Sequence, residues 1–171
     1  MVSKELLSEI HAQFRRQMNA DVSAALRRHG VAYRVAFGVP SMRLREVAER
    51  YAPSAELAEA LWAEDIRESK MLATRLYPAA AMDEATAVRW ATEAPHDEVA
   101  DQLTMHLLSR LPDAERLMMR LAARPERMAR YVALKLAARL GSHALDETAR
   151  ALAADPAADI ALRTAAAMLL L

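Results

Sequence analysis

The sequence contains no cysteine, only three glycines and few aromatic residues, which make up 5% of its 171 residues. The lack of cysteine excludes disulfides, thiol nucleophiles and cysteine-ligated metals. Three isolated glycines provide neither a phosphate-binding loop nor a dinucleotide-binding fingerprint. The β-branched and aromatic residues that suit strands are scarce beside alanine, leucine, arginine and glutamate. The composition therefore predicts an all-α protein.

Long apolar runs are also missing. No stretch approaches the roughly 20 residues that span a bilayer, and the first residues lack the apolar segment of a signal peptide. We therefore expect a cytoplasmic protein that does not contact membranes. The five histidines never stand at i and i+4 on one helix with a third ligand in reach, so no metal site is predicted.

The formal net charge is zero, but the charges are unevenly distributed along the chain. Residues 1–52 carry +4, residues 53–101 carry −7, residues 102–141 carry +5 and residues 142–171 carry −2. Zero net charge argues against a general nucleic-acid binder. Two basic blocks beside an acidic one are nevertheless compatible with phosphate-contacting patches. Solvated outer faces of helices explain the same pattern, so both interpretations stay open.

Four helical patterns share one register, with an apolar first-turn residue at positions 66, 99, 128 and 160. The steps are therefore 33, 29 and 32 residues, and a second helical pattern lies between each pair. A period of this size is typical of stacked helix–turn–helix units whose apolar faces are buried only by their neighbours. We predict a single domain over residues 1–171, built as an α-solenoid of paired antiparallel helices.

Prolines and glycines mark the boundaries of the predicted helices. Gly30 and Gly141 suit helix C-termini, whereas Ser41 and Asp83 suit N-caps. The predicted helices cover residues 4–29 (one or two helices), 42–51, 54–62, 65–77, 84–93, 97–110 and 126–140, together with a helix that has Pro112 in its first turn and a last helix that Pro156 opens.

A pair of carboxylates begins one of the repeating helices. Asp97 and Asp101 are one turn apart and share a helix face. They are explained either as surface carboxylates, of which Asp97 complements the helix dipole, or as a site in which Asp101 faces the concave surface and stabilises a developing cation. The residues alone leave both explanations open.

Three segments resemble the DNA alkylation repair family of HEAT-like repeat DNA glycosylases. They are Phe37–Ala48 (FGVPSMRLREVA), Leu57–Trp62 (LAEALW) and Ile66–Ala73 (IRESKMLA). Their order and spacing match the family over about residues 30–110. The resemblance implies a HEAT-like α-solenoid, an α-α superhelix, that grips duplex DNA. It also implies hydrolysis of the N-glycosidic bond of N3- or N7-alkylated purines without a metal or organic cofactor.

The resemblance also implies site residues. Asp101 matches the catalytic aspartate of the family, with a smaller contribution expected from Asp97. Family members have a tryptophan where this chain has Asp97, and a second one near the position of Ala166. Trp62 and Trp90 lie on other predicted helices and are expected in the core. A scaffold that binds a protein or a structured nucleic acid without catalysis is therefore the alternative function.

Basic residues on the repeating helices are candidates for phosphate contacts. Arg130 roughly matches a family arginine that contacts phosphate near the lesion, and Arg127 lies one turn before it. Ordinary salt bridges, for instance between Glu126 and Arg130, are the alternative. We predict that five basic residues contact duplex DNA: Arg43, Arg67, Lys70, Arg127 and Arg130.

The last helix has an apolar end. Leu169, Leu170 and Leu171 point in three directions around a helix, so stacking on the previous repeat cannot bury all three. Exposed apolar patches usually mark interfaces. We therefore predict a homodimer through residues 157–171, with a monomer or a fold-back of this end over the groove as alternatives.

Overall fold

The computed structural model describes residues 2–31 and 33–171, so Met1 and Ala32 lie outside the described residues. Within these ranges the regular elements are helices, apart from one parallel bridge between Val35 and Ile66. The chain forms two compact units, residues 1–81 and 82–171. The single domain expected over residues 1–171 stays a prediction. No helix of the described residues is both long and apolar enough to cross a bilayer.

The first unit is built around its last α-helix. This helix, α5, packs against both α3 and α4. Trp62, at the end of α4, is buried as expected for a core residue, and Ile10 and Phe14 of the first helix are also buried. The α-helices are α1 (Lys4–Arg16), α2 (Ala20–Arg28), α3 (Ser41–Ala48), α4 (Ala55–Trp62) and α5 (Arg67–Leu76), and the 3-10 helix Ala79–Ala81 follows them.

The second unit consists of paired helices in which one long helix is central. Its α-helices are α6 (Glu84–Glu93), α7 (Asp97–His106), α8 (Ala114–Ala122), α9 (Arg127–Leu140), α10 (Asp146–Ala154) and α11 (Ile160–Leu169). Helix α9 packs against α7 and α11 and also against α6 and α8. Trp90 of α6 is fully buried, as predicted. The repeating helical patterns of the sequence correspond to α5, α7, α9 and α11.

Several predicted helix boundaries were wrong by one to four residues, and α3 for instance ends at Ala48 rather than at Tyr51. Ser41 is the first residue of α3 and Pro40 is its N-cap, while the Oγ of Ser41 accepts a hydrogen bond from Arg75 NH2 at 3.0 Å. Helix α7 ends at His106 and is followed by the 3-10 helix Leu108–Arg110. The last helix begins after Asp159, whose side chain caps it, and not at Pro156.

A buried carboxylate holds the non-helical segment 33–40 in the first unit. Glu68, at the start of α5, is 0% exposed and accepts hydrogen bonds from the backbone N–H groups of Phe37, Gly38 and Val39 at 3.0, 2.9 and 3.2 Å. Arg67 NH1 lies 2.8 Å from Glu68 Oε1. A buried charge of this kind is tolerated only where it is paired and hydrogen-bonded. Glu68 therefore fixes the approach of the chain to α3.

Gly38 is required at the centre of this segment. Its φ is +75°, a conformation that side chains with a Cβ rarely adopt. A Cβ at this position would also lie 2.2 Å from the carbonyl oxygen of Asn19. Only glycine therefore allows the segment to pass this close to the start of α2 while its N–H reaches Glu68.

The end of the second unit exposes apolar side chains. Ile160, Met168, Leu170 and Leu171 are all exposed, whereas Leu162, Ala165 and Ala166 are buried. Helix α11 therefore buries one face against α9 and α10. The homodimer through residues 157–171 stays a prediction.

Replacing Glu68 by glutamine should destabilise the protein by about 3–5 kcal/mol, because Arg67 would be left buried without its partner charge. The amide would also present N–H groups toward the backbone donors that now bind a carboxylate. Thermal unfolding followed by circular dichroism measures the change. Glu46→Gln is the matched control, since Glu46 pairs with Arg43 at an exposed site of the same unit. Equal melting temperatures for the two variants would contradict this role of Glu68.

Candidate functional site in the groove between α7 and α9

Asp101 stands in the second turn of α7, where its carboxylate is 36% exposed. Its Oδ1 accepts a hydrogen bond from Tyr131 Oη at 3.1 Å and lies 3.2 Å from Lys135 Nζ. Both partners belong to α9, the helix of the repeat that packs against α7. In the part of the chain that the structure describes, Oδ2 has no hydrogen-bond partner. The partly exposed carboxylate is thus oriented through one oxygen, while the other has no partner to restrain it.

Tyr131 is the buried member of this cluster. Its ring centroid lies 5.4 Å from the guanidinium carbon of Arg127 and 5.8 Å from Lys135 Nζ. Burial raises the pKa of Tyr131 above its ordinary value, and the negative charge of Asp101 raises it further. The phenol therefore stays protonated at neutral pH and donates a hydrogen bond to the carboxylate of Asp101.

Asp101 lines a cavity of about 430 Å³, which we call the groove. The side chains of Met105 and Ala138 give the groove an apolar wall, and Met105 is 39% exposed. Thr104 Oγ1 donates to the carbonyl oxygen of Ala100 at 2.8 Å, so its hydroxyl proton is already used. The residues that line the groove are Asp101, Thr104, Met105, Lys135, Ala138 and Arg139. One carboxylate, two cations and an apolar surface are therefore available to a ligand.

Asp97 and Arg127 are brought together by the fold, but outside the groove. Arg127 binds Asp97 through both terminal nitrogens, with 3.1 Å between NH2 and Oδ2, and Asp159 through NH2 at 3.0 Å. We call these three residues the clasp. Its members begin or cap α7, α9 and α11, and neither Asp97 nor Arg127 lines the groove. The predicted carboxylate pair is thus divided between two local sites.

The charges of the clasp stabilise one another. Hydrogen bonding to Asp97 raises the pKa of Arg127 above its ordinary value, and Asp159 adds to this effect. The pKa of Asp159 is lowered, first by the backbone N–H of Leu162 and then by Arg127. Arg127 therefore has two carboxylate partners, which leaves it less available for a phosphate than an unpaired arginine.

The other basic residues that were predicted to contact phosphate lie in different environments. Arg130 is half-buried and forms no ion pair within residues 2–31 and 33–171. The expected salt bridge from Glu126 to Arg130 does not form, because Glu126 pairs with Arg124 at 2.6 Å. Arg43 is exposed and pairs with Glu46 at 2.8 Å. Arg130 and Arg43 are therefore accessible cations.

Arg67 and Lys70 instead make contacts within the first unit. Arg67 is 3% exposed, and its NH1 donates to the carbonyl oxygen of Val39 at 3.1 Å as well as to Glu68. Lys70 Nζ donates to the carbonyl oxygen of Trp62 at 2.5 Å and lies 5.1 Å from the centroid of that ring. These positions do not favour phosphate contacts from either residue.

The partners that α9 supplies to Asp101 were not predicted from the sequence. Tyr131 follows Asp101 by 30 residues and Asp159 follows Arg127 by 32, steps that match the repeat period. The repeat register could therefore have paired these positions. Lys135 and Arg139 lie one turn apart within the basic block 102–141, but their place beside Asp101 depends on how α7 and α9 pack.

Arg127→Gln should lower the free energy of unfolding by about 1 kcal/mol at neutral pH, because the clasp is more than a third exposed and therefore partly screened. Because the pKa of Asp159 is lowered in the folded state, its ionised carboxylate stabilises the fold at pH values above the ordinary pKa near 4. This stabilisation is lost as the pH falls through the lower folded-state pKa. The difference between variant and wild type should therefore disappear in acid. Urea unfolding at several pH values measures this difference.

Arg89→Gln, which changes another exposed ion pair, is the control. A difference that persists unchanged below pH ~3 would contradict the electrostatic explanation.

The fold has a counterpart among solved structures. One of them, described as "A new family of proteins related to the HEAT-like repeat DNA glycosylases with affinity for branched DNA structures", superimposes with a TM-score of 0.80. The match covers 99% of this chain and 74% of that chain at 17% identity, and it confirms the predicted HEAT-like repeat fold. No curated protein matches the sequence.

The sequence itself carries the family relationship. A family model described as "DNA alkylation repair enzyme" matches residues 10–166, which is most of the chain. The matched range includes the whole groove and the whole clasp. The chain therefore belongs to the DNA alkylation repair enzyme family.

Proposed function

We propose that this protein binds DNA through the phosphate backbone and uses Asp101 to hydrolyse the N-glycosidic bond of cationic alkylated purines. The observation that carries the proposal is the geometry of Asp101. One carboxylate oxygen is held by Tyr131 and Lys135, the other has no partner among the described residues, and the residue lines a groove with an apolar wall. Membership of the DNA alkylation repair enzyme family supports the choice of substrate class.

The reaction requires little acid or base chemistry. An N3- or N7-alkylated purine carries a positive charge, so it leaves as a neutral base when the electrons of the glycosidic bond move to its nitrogen. The sugar then develops the positive charge of an oxocarbenium ion, which a nearby carboxylate stabilises. Water adds to the sugar carbon and loses a proton to solvent. Asp101 Oδ2 is the atom that we expect to face the developing charge.

A second function, binding of structured DNA without hydrolysis, is favoured by the clasp. Asp97 stands where the family resemblance implies a tryptophan, and it is paired with Arg127. No aromatic face is therefore available at that position to stabilise a cationic base. The solved structure with this fold is described as having affinity for branched DNA, and that description supports the same alternative.

DNA binding should weaken steeply with salt, because each phosphate contact releases counterions and contributes about −0.9 to the log–log slope. Among the predicted contacts we expect Arg130 to contribute and Arg127 to contribute little, since two carboxylates already bind Arg127. Arg130→Gln should therefore flatten the slope by about 0.9, whereas Arg127→Gln should leave it nearly unchanged. Fluorescence anisotropy with duplex and four-way-junction DNA at several salt concentrations measures both slopes. Absence of binding at low salt would contradict the proposal.

Asp101→Asn should reduce the release of methylated purines from alkylated DNA by about 10²–10³-fold, because the amide removes the charge that faces the oxocarbenium ion. Chromatography of the released bases measures the rate. Asp113→Asn is the matched control, since Asp113 is an exposed carboxylate paired with Arg116 at a helix start outside the groove. Equal rates for wild type and Asp101→Asn would remove Asp101 from the mechanism. DNA binding without base release by wild type would favour the second function.

A further inference from the structure

We propose that Lys135 and Arg139 form the binding site for the DNA phosphodiester group that lies beside Asp101. This inference rests on the proposed DNA binding and adds two residues to it. Lys135 and Arg139 are one turn apart on α9, so they share a helix face with about 5–6 Å between their Cβ atoms. Both line the groove. One phosphate can therefore contact both cations.

Arg139 is a cation without a local carboxylate. It is exposed and forms no ion pair with any carboxylate in the described ranges. Most arginines between the start of α8 and the first turn of α9 are already paired with carboxylates, namely Arg116 and Arg120 with Glu84, Arg124 with Glu126, and Arg127 with Asp97 and Asp159. Arg139 carries five N–H donors in a fork that matches phosphate geometry. It is therefore the strongest candidate for an anion contact in the groove.

Lys135 allows a phosphate to approach a carboxylate. An ammonium group has three N–H donors, and one of them points toward Asp101 Oδ1 at 3.2 Å. The remaining donors can bind a phosphate oxygen while the contact with Asp101 persists. Because the ammonium then lies between two anions, it offsets the repulsion between them. The site thus places a sugar-phosphate next to the carboxylate that faces the sugar.

The rest of the groove supports an anion without competing for it. The hydroxyl of Thr104 is neutral and donates to the carbonyl oxygen of Ala100, so it adds no charge to the groove. Met105 and Ala138 line the groove with apolar surface, which reduces the screening of charges by water. The lining carries one negative and two positive charges, so its net charge is positive.

The salt dependence of DNA binding tests this site. Because both cations contact one phosphate, the double variant Lys135→Gln and Arg139→Gln should flatten the log–log slope by about 0.9, and each single variant by part of that amount. The conservative variant Arg139→Lys should keep most of the slope, because it keeps the charge. The control is the double variant Arg116→Gln and Arg120→Gln, which removes the same net charge from arginines that pair with Glu84 outside the groove. That control should keep the wild-type slope.

The outcomes separate this inference from the proposed function. Absence of salt-dependent binding by wild type would contradict DNA binding itself. Wild-type binding together with equal slopes for the groove double variant and the control would overturn the assignment of Lys135 and Arg139 alone. Competition with inorganic phosphate identifies the ligand: if inorganic phosphate saturates the groove and DNA does not, the site is not one for the DNA backbone. A flattened slope for the groove variant alone supports the site.

Discussion

The first unit depends on the interaction of the Glu68 carboxylate with three consecutive backbone N–H groups. The segment from Phe37 to Val39 is not helical, so its amide groups have no helical acceptors and must find others when they are buried. Glu68 supplies two acceptor oxygens, and Arg67 balances its charge while also binding the carbonyl oxygen of Val39. The residues on which the family resemblance rested, in the segments 37–48 and 66–73, are thus bound to each other. In this unit that pattern reflects a structural requirement rather than a binding surface.

In the second unit, the residues at the corresponding helix N-termini form ion pairs with one another. The clasp joins the beginnings of α7, α9 and α11, where charged side chains interact with helix dipoles. Asp97 and Asp159 are favourable at helix N-termini, whereas a cation such as Arg127 is unfavourable there. The two carboxylates offset that cost, because they pair with the same guanidinium. The clasp thereby links three of the repeating helices, α7, α9 and α11, through side chains alone.

The groove explains why two functions remain in competition. Asp101 is oriented and accessible, as a carboxylate that stabilises a sugar cation must be. Its pairing with Lys135, however, reduces the net negative charge that it offers to a developing cation, because opposite charges 3.2 Å apart largely cancel at longer range. If the proposed hydrolysis occurs, this pairing and the lack of an aromatic side chain at Asp97 should make it slower than at a site with an unpaired aspartate and an aromatic cage. The same cations favour DNA binding in either case.

The sequence by itself determined the features that depend on neighbouring residues. The repeat register, the cap at Asp83 and the helix end at Gly141 follow from local backbone chemistry, and all appear in the structure. Burial of the two tryptophans followed from their place in the helical pattern. Ser41 departs from the predicted N-cap role: it is the first residue of α3, and its hydroxyl accepts a hydrogen bond from Arg75, 34 residues away.

Only the tertiary structure decided which charged residues meet. Asp97 and Asp101 share a helix face in the sequence, yet packing against α9 sends one to Arg127 and the other to Tyr131 and Lys135. Side chains that lie 30 residues apart meet only through the register and separation of adjacent helices. Those are set by the fit of apolar side chains between helices, which a single sequence pattern does not specify. The ion pairs of the site therefore follow from the packing of the core, and for this reason they could not be predicted from the spacing of residues along the sequence.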